Sequence, residues 1–152
     1  MSNRNLDAAW LYHQTTKHSK PSMYADPHYL DWENQPLPFK IYEGFDPLPL
    51  PRELLSSGGP ALSAVAALAI HPTAPPPPTL SLLASLLYFA AGITKRRTYA
   101  GGEILFRAAA CTGALYHIEL YLVCGDLPDL EAGVYHFGPG DFALRQLRRG
   151  DY

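Results

Sequence analysis

The segment 107–123, RAAACTGALYHIELYLV, constrains this chain more than any other. The small residues Ala108 to Ala114 run without a break into a stretch where side chains alternate in character. Small side chains let a backbone approach a flat partner closely, and a period of two predicts a strand. From Leu115 on, Tyr116, Ile118, Leu120 and Leu122 fall on one face, and Leu115, His117, Glu119, Tyr121 and Val123 on the other. After a loop at 125–132, strands are predicted at Gly133–Phe137 and Phe142–Leu147. The turn Gly138-Pro139-Gly140-Asp141 joins them. Together these make an antiparallel meander.

The run Leu80–Ile93 is the most apolar of the chain. It falls short of the ~20 residues a membrane span needs and reads as a buried helix. Thr79 suits its N-cap and Gly92 its C-terminal stop. Leu80, Leu83, Ala84, Leu87 and Ala91 share one face, and Leu82, Leu86 and Phe89 another. Ser81, Ser85 and Tyr88 form a polar stripe. A helix apolar around most of its circumference is buried on several sides or sits in a subunit interface.

The first half is organised by its prolines. A helix is predicted at 5–18, capped by Asn5 or Asp7, with Leu6, Ala9, Trp10 and His13 on one face. Prolines 21, 27, 36, 38, 47, 49 and 51 forbid a long helix over 20–52. That stretch is too rich in aromatic residues for a disordered linker and reads as an ordered, extended wrap. Pro60 opens a helix with Leu62, Val65, Leu68 and Ala69 on its apolar face, and Pro72 ends it. The segment 71–78, HPTAPPPP, is a polyproline spacer.

A chain of 152 residues suits one domain, divided here into a helix and wrap at 1–60 and the main body at 61–152. A net charge of −2 without a basic stripe argues against nucleic acid as a partner. Membrane association is not expected either. Cys111 and Cys124 read as small buried residues of a reducing compartment, which with no signal peptide in MSNRNLDAAWLY implies the cytoplasm.

A flavin site needs small residues for close approach, N–H donors for the ring, and a cation for the phosphate. Ala110, Cys111, Thr112, Gly113, Ala114 and Leu115 offer the first two. Arg107, or Lys95, Arg96 and Arg97, offers the third. His117, Glu119 and His136 on neighbouring strands form only a weak metal pattern, so hydrogen-bonded structural roles are expected and no metal is assigned. Cys111 with His117 as base would make a nucleophile only if the turn brought them together. Arg145, Arg148 and Arg149 read as a solvated edge. No GxxxxGK[ST] or GxGxxG phosphate loop is present.

Several motifs resemble the SagB-type dehydrogenases, a nitroreductase-like family that oxidises azoline rings in peptides with FMN. In that family a helix ending in a Gly-Ile-Thr-Arg-like sequence precedes a Pro-Ser-Ala-Gly-Ala-Leu-Tyr-Pro-hydrophobic-Glu motif. Here the corresponding stretches are Gly92-Ile93-Thr94-Lys95 and Ala110-Cys111-Thr112-Gly113-Ala114-Leu115-Tyr116-His117-Ile118-Glu119. Further similarity lies in residues 12–19, 30–44, 133–139 and 144–151. The resemblance implies an α+β nitroreductase-like fold, an antiparallel sheet with buried helices, and a homodimer. It implies FMN held along Arg107 and the 110–115 backbone, with two-electron oxidation of an azoline. A modified peptide and its heterocycle-forming enzymes would be the partners. Ala110-Cys111 replaces the usual Pro-Ser, and His117 the usual Pro; Cys111 keeps the size of Ser but bonds more weakly. The family's later helices and catalytic residues have no counterpart in these residues, so the chain is expected to be the N-terminal part of such a domain, and no catalytic residue is assigned. Alternatives are an NAD(P)H-dependent nitroreductase-like enzyme acting on small molecules, or a non-catalytic dimerisation or peptide-binding half without flavin.

Overall fold

The computed structural model describes residues 5–25, 29, 31–34, 37–56, 58–66 and 76–152, with the backbone alone at Trp32. The chain forms two compact units, 1–36 and 37–152. Leu68, Ala69, Pro72 and the first part of the 71–78 spacer lie outside the described residues.

In the first unit, helix α1 spans Leu6–Thr16. The Asn5 side chain caps it, accepting the Ala8 N–H at 3.0 Å, which satisfies one of the donors a helix start leaves free. Its predicted apolar face buries nothing. A second helix, α2 at Lys20–Ala25, and a 3-10 turn at Trp32–Asn34 follow. Both lie in the stretch expected to be irregular. Pro21 stands at the second position of α2, where no intrahelical N–H is required.

The second unit is built on a four-stranded antiparallel sheet. Strand β1 (Pro47–Pro49) pairs with β6 (Ala143–Arg149), β6 with β5 (Gly133–Gly138), and β5 with β4 (Tyr121–Cys124). Pro47 and Pro49 fit β1 because it is an edge strand, where a missing N–H costs no ladder bond. The meander of β4, β5 and β6 follows the predicted order. A short helix α3 (Ala61–Ala66) and the longer α4 (Leu80–Ala91) complete the helical part. Thr79 caps α4 by accepting the Leu82 N–H at 3.3 Å.

Leu83, Ala84 and Ala91 of α4 pack in one core with Leu50, Leu130, Tyr135, Phe137, Phe142 and Leu144. Phe137 and Phe142 meet edge to face at 5.8 Å, and Phe142 meets Tyr88 likewise at 6.1 Å. The second apolar face is open, with Leu86 57% and Phe89 63% exposed. The predicted polar stripe is not a solvent face. Ser85 is buried, donates to the Ser81 carbonyl at 2.9 Å and accepts the Leu55 N–H at 2.9 Å, tying the loop after β1 to the helix.

Two further departures from the sequence reading lie between α4 and β4. First, Ile93–Tyr99 (β2) and Gly102–Arg107 (β3) form a separate antiparallel hairpin, in a stretch where the sequence reading assigns no strand. Arg96 and Glu103 meet diagonally across it at 3.5 Å. Second, the strand expected from Leu115 begins only at Tyr121. Gly113, Ala114 and Tyr116 take positive φ of 66°, 55° and 43°. A chain that turns left-handed repeatedly cannot alternate its faces. Of the expected pairing before Tyr121, the Leu120 carbonyl still accepts the Phe137 N–H at 3.0 Å.

Candidate functional site

Strand β3 delivers Arg107 to the end of α4. The residue pairs in register with Ile93, and its side chain turns inward, leaving it 6% exposed. Nε donates to the Ala91 carbonyl at 2.7 Å, one of the acceptors a helix C-terminus leaves free. The next residue continues the docking, with the Ala108 N–H on the Gly92 carbonyl at 2.9 Å. Gly92 takes an extended rather than left-handed conformation. Its role is close approach: a Cβ there would lie 2.7–2.8 Å from Tyr88 atoms.

Both terminal nitrogens of Arg107 are buried without a hydrogen-bond partner among the described residues. The Tyr116 ring covers the guanidinium, 5.7 Å from its carbon. A guanidinium stays charged at any ordinary pH, and buried cations are normally paired. The residues present fit an anion here. A phosphate or carboxylate would satisfy both nitrogens in a bidentate arrangement.

The turn after Arg107 holds the remaining predicted residues. Ala108, Ala110, Thr112, Gly113 and Leu115 are exposed, while Cys111 and Ala114 are half-buried. A 3-10 turn spans Thr112–Ala114, closed by the Leu115 N–H on the Thr112 carbonyl at 3.5 Å. The structure thus brings Arg107 and the 110–115 turn into one region but sets Lys95, Arg96 and Arg97 on the exposed hairpin. Cavities of about 280 and 420 Å³ lie elsewhere, around Arg52, Tyr88 and Phe142 and around Phe39, Lys40 and Arg145.

The candidate metal residues are divided. Glu119 Oε2 bonds His136 Nε2 at 2.9 Å, but His117 turns to Cys111, with Nδ1 3.9 Å from Sγ. No group of three metal-ligating side chains occurs among the described residues. Arg145 grips Asp141 through two bonds of 2.6 and 3.3 Å and is half-buried, so only Arg148 and Arg149 form the solvated edge. No described helix is long and apolar enough to cross a membrane.

A cluster beside the turn was not legible in the sequence. Buried His136 is flanked by the rings of Tyr42 at 4.8 Å and Tyr121 at 5.2 Å. The two phenols share a hydrogen bond of 2.8 Å, and Lys40 Nζ donates to Tyr121 at 3.4 Å. Lys40 also donates its backbone N–H to Glu119 Oε1 at 3.2 Å. The Lys40 ammonium, and then the Tyr121 hydroxyl, hold the Tyr42 phenol below its ordinary range. The bond to Tyr42, and then burial, push Tyr121 up. The wrap's wealth of aromatic residues was the available signal, but only the fold sets Lys40 and Tyr42 against β4.

No protein-family model and no curated protein matches the chain. Among solved structures, one from Anabaena variabilis, described provisionally as a nitroreductase, is similar over 94% of this chain. The TM-score is 0.66 and the identity 29%. The chain spans about a quarter of that protein's length, 26%. The fold is nitroreductase-like, an α+β arrangement of helices and antiparallel sheet.

Proposed function

We propose that this chain forms part of the flavin site of an FMN-dependent oxidoreductase resembling the SagB-type azoline dehydrogenases. The observation that carries the reading is Arg107, whose two terminal nitrogens are buried without partners among the described residues at the head of the small-residue turn. An FMN phosphate supplies the charge this guanidinium lacks. Exposed Thr112 and Gly113, with Ala110 and Cys111 before them, leave backbone free to run along a flat ring. When bound, a flavin accepts a hydride, and with it two electrons, from its substrate. The chain's own part is to anchor the anion through Arg107 and to orient the ring by the 110–115 backbone. Tyr116, which covers Arg107, must swing aside to admit the anion. The nitroreductase-like fold supports an oxidoreductase; the azoline peptide rests on the motif resemblance. The open Leu82, Leu86 and Phe89 face of α4 supports self-association.

Absorption spectra of the purified chain with and without added FMN, read together with its mass in solution, test the proposal. Flavin bands that survive gel filtration are expected, and loss of those bands in Arg107→Met. A colourless protein that takes up no FMN overturns the flavin reading and leaves the fold standing.

A further inference from the structure

Two of the four positions at which the 110–119 segment departs from the SagB pattern meet in the fold. The usual Ser is Cys111 and the usual Pro is His117. His117 Nδ1 lies 3.9 Å from Cys111 Sγ, within reach of a weak hydrogen bond to sulfur. The Tyr116 N–H donates to the same sulfur at 3.1 Å. That bond requires the backbone bend at Tyr116, where φ is 43°. A residue before proline is held to extended conformations, so His117 in place of proline permits the bend as well as supplying an imidazole. The Cys111 side chain is half-buried and His117 is exposed, so small solutes can reach the pair.

We infer that Cys111 and His117 form a reactive thiol–imidazole pair that takes peroxides as its electrophile. The sulfur attacks one peroxide oxygen, so an S–O bond forms and the O–O bond breaks. The thiol proton passes to His117 Nδ1 and from there to the departing hydroxide, which leaves as water. Sulfur is oxidised by two electrons to a sulfenic acid, and the peroxide is reduced by two. The Tyr116 N–H holds the sulfur in place for attack. The inference is independent of flavin binding, since it needs only the apo turn.

Cys124 supplies an internal control. It is half-buried, its thiol is pushed up by burial, and it donates to the Glu131 carbonyl at 3.9 Å. The protein is treated with hydrogen peroxide in the presence of dimedone, and labelling is assigned to each cysteine by fragmentation mass spectrometry. Cys111 is expected to label at least about tenfold faster than Cys124, and His117→Gln to lower the Cys111 rate by a similar factor. The Cys124 rate stays constant as long as the fold does. If it rises in His117→Gln, the variant has opened, and His117→Asn decides the matter by the same criterion. Equal labelling of the two cysteines, or an unchanged Cys111 rate in a folded His117 variant, overturns the inference.

Discussion

The guanidinium of Arg107 occupies a position that disfavours the isolated fold and favours an anion. Its Nε bond to Ala91 fixes the side chain, but the two remaining nitrogens are buried and unpaired among the described residues. Replacing a buried charge by an apolar side chain of similar length is often stabilising. Arg107→Met is therefore expected to raise apo stability by on the order of 1 kcal/mol in urea unfolding, while removing anion binding. A variant that is both less stable and able to bind FMN contradicts this account of the residue. Gly113 is constrained differently. Its φ is 66°, and an added Cβ would meet only the Leu115 side chain at 3.7 Å, an ordinary contact. Gly113→Ala thus costs left-handed strain alone, about 1 kcal/mol, measurable as a lower urea midpoint. The small-residue run made this turn legible in the sequence. The burial of Arg107 was not, because it depends on where β3 meets the end of α4.

Between elements, the 38–42 stretch and β4 are joined by polar side chains. Lys40 and Tyr42, two residues apart, reach Tyr121, while Lys40 also holds Glu119 through its backbone. Tyr42 ionises below the ordinary phenol range and Tyr121 above it. A lowered Tyr42 value means that the folded state favours the phenolate. Its contribution to stability is present above the unfolded pKa and is lost as pH falls through the folded one. Lys40 has the opposite sign: its raised value gives stability below the unfolded pKa, lost as pH rises through the folded one. Lys40→Met is expected to return the Tyr42 titration toward the ordinary range, read by ultraviolet difference absorbance against a Tyr121→Phe background. No change in that titration would separate Lys40 from Tyr42. The meander was legible from the turn residues between its strands, and the apolar face of α4 because its period matches the burial found, whereas burial along β5 and β6 does not alternate. The hairpin of β2 and β3 was not legible, because its exposed, charged β2 carries no apolar alternation to mark it.

At the scale of the molecule, the 37–152 unit is held by one core between the sheet and α4. Phe137 is buried between Phe142 and the helix-facing residues of that core. Phe137→Ala should cost about 3–5 kcal/mol, seen as loss of a cooperative unfolding transition if the unit is near that margin. A shift of less than about 1 kcal/mol would mean the core repacks around the gap. The sequence by itself determined the nitroreductase-like class, the order of the meander, the caps of α1 and α4 and the small-residue turn. The class followed from the motif resemblance; the others follow from local periodicity, capping or residue size, which a linear pattern carries. Only the tertiary structure decided that Arg107 is buried unpaired, that His117 turns to Cys111 rather than Glu119, and that Lys40 and Tyr42 close on Tyr121. Those contacts depend on backbone direction and on the approach of distant segments. A change in the sign of φ at 113–116 reverses which way side chains point without altering the pattern of residues that precedes it.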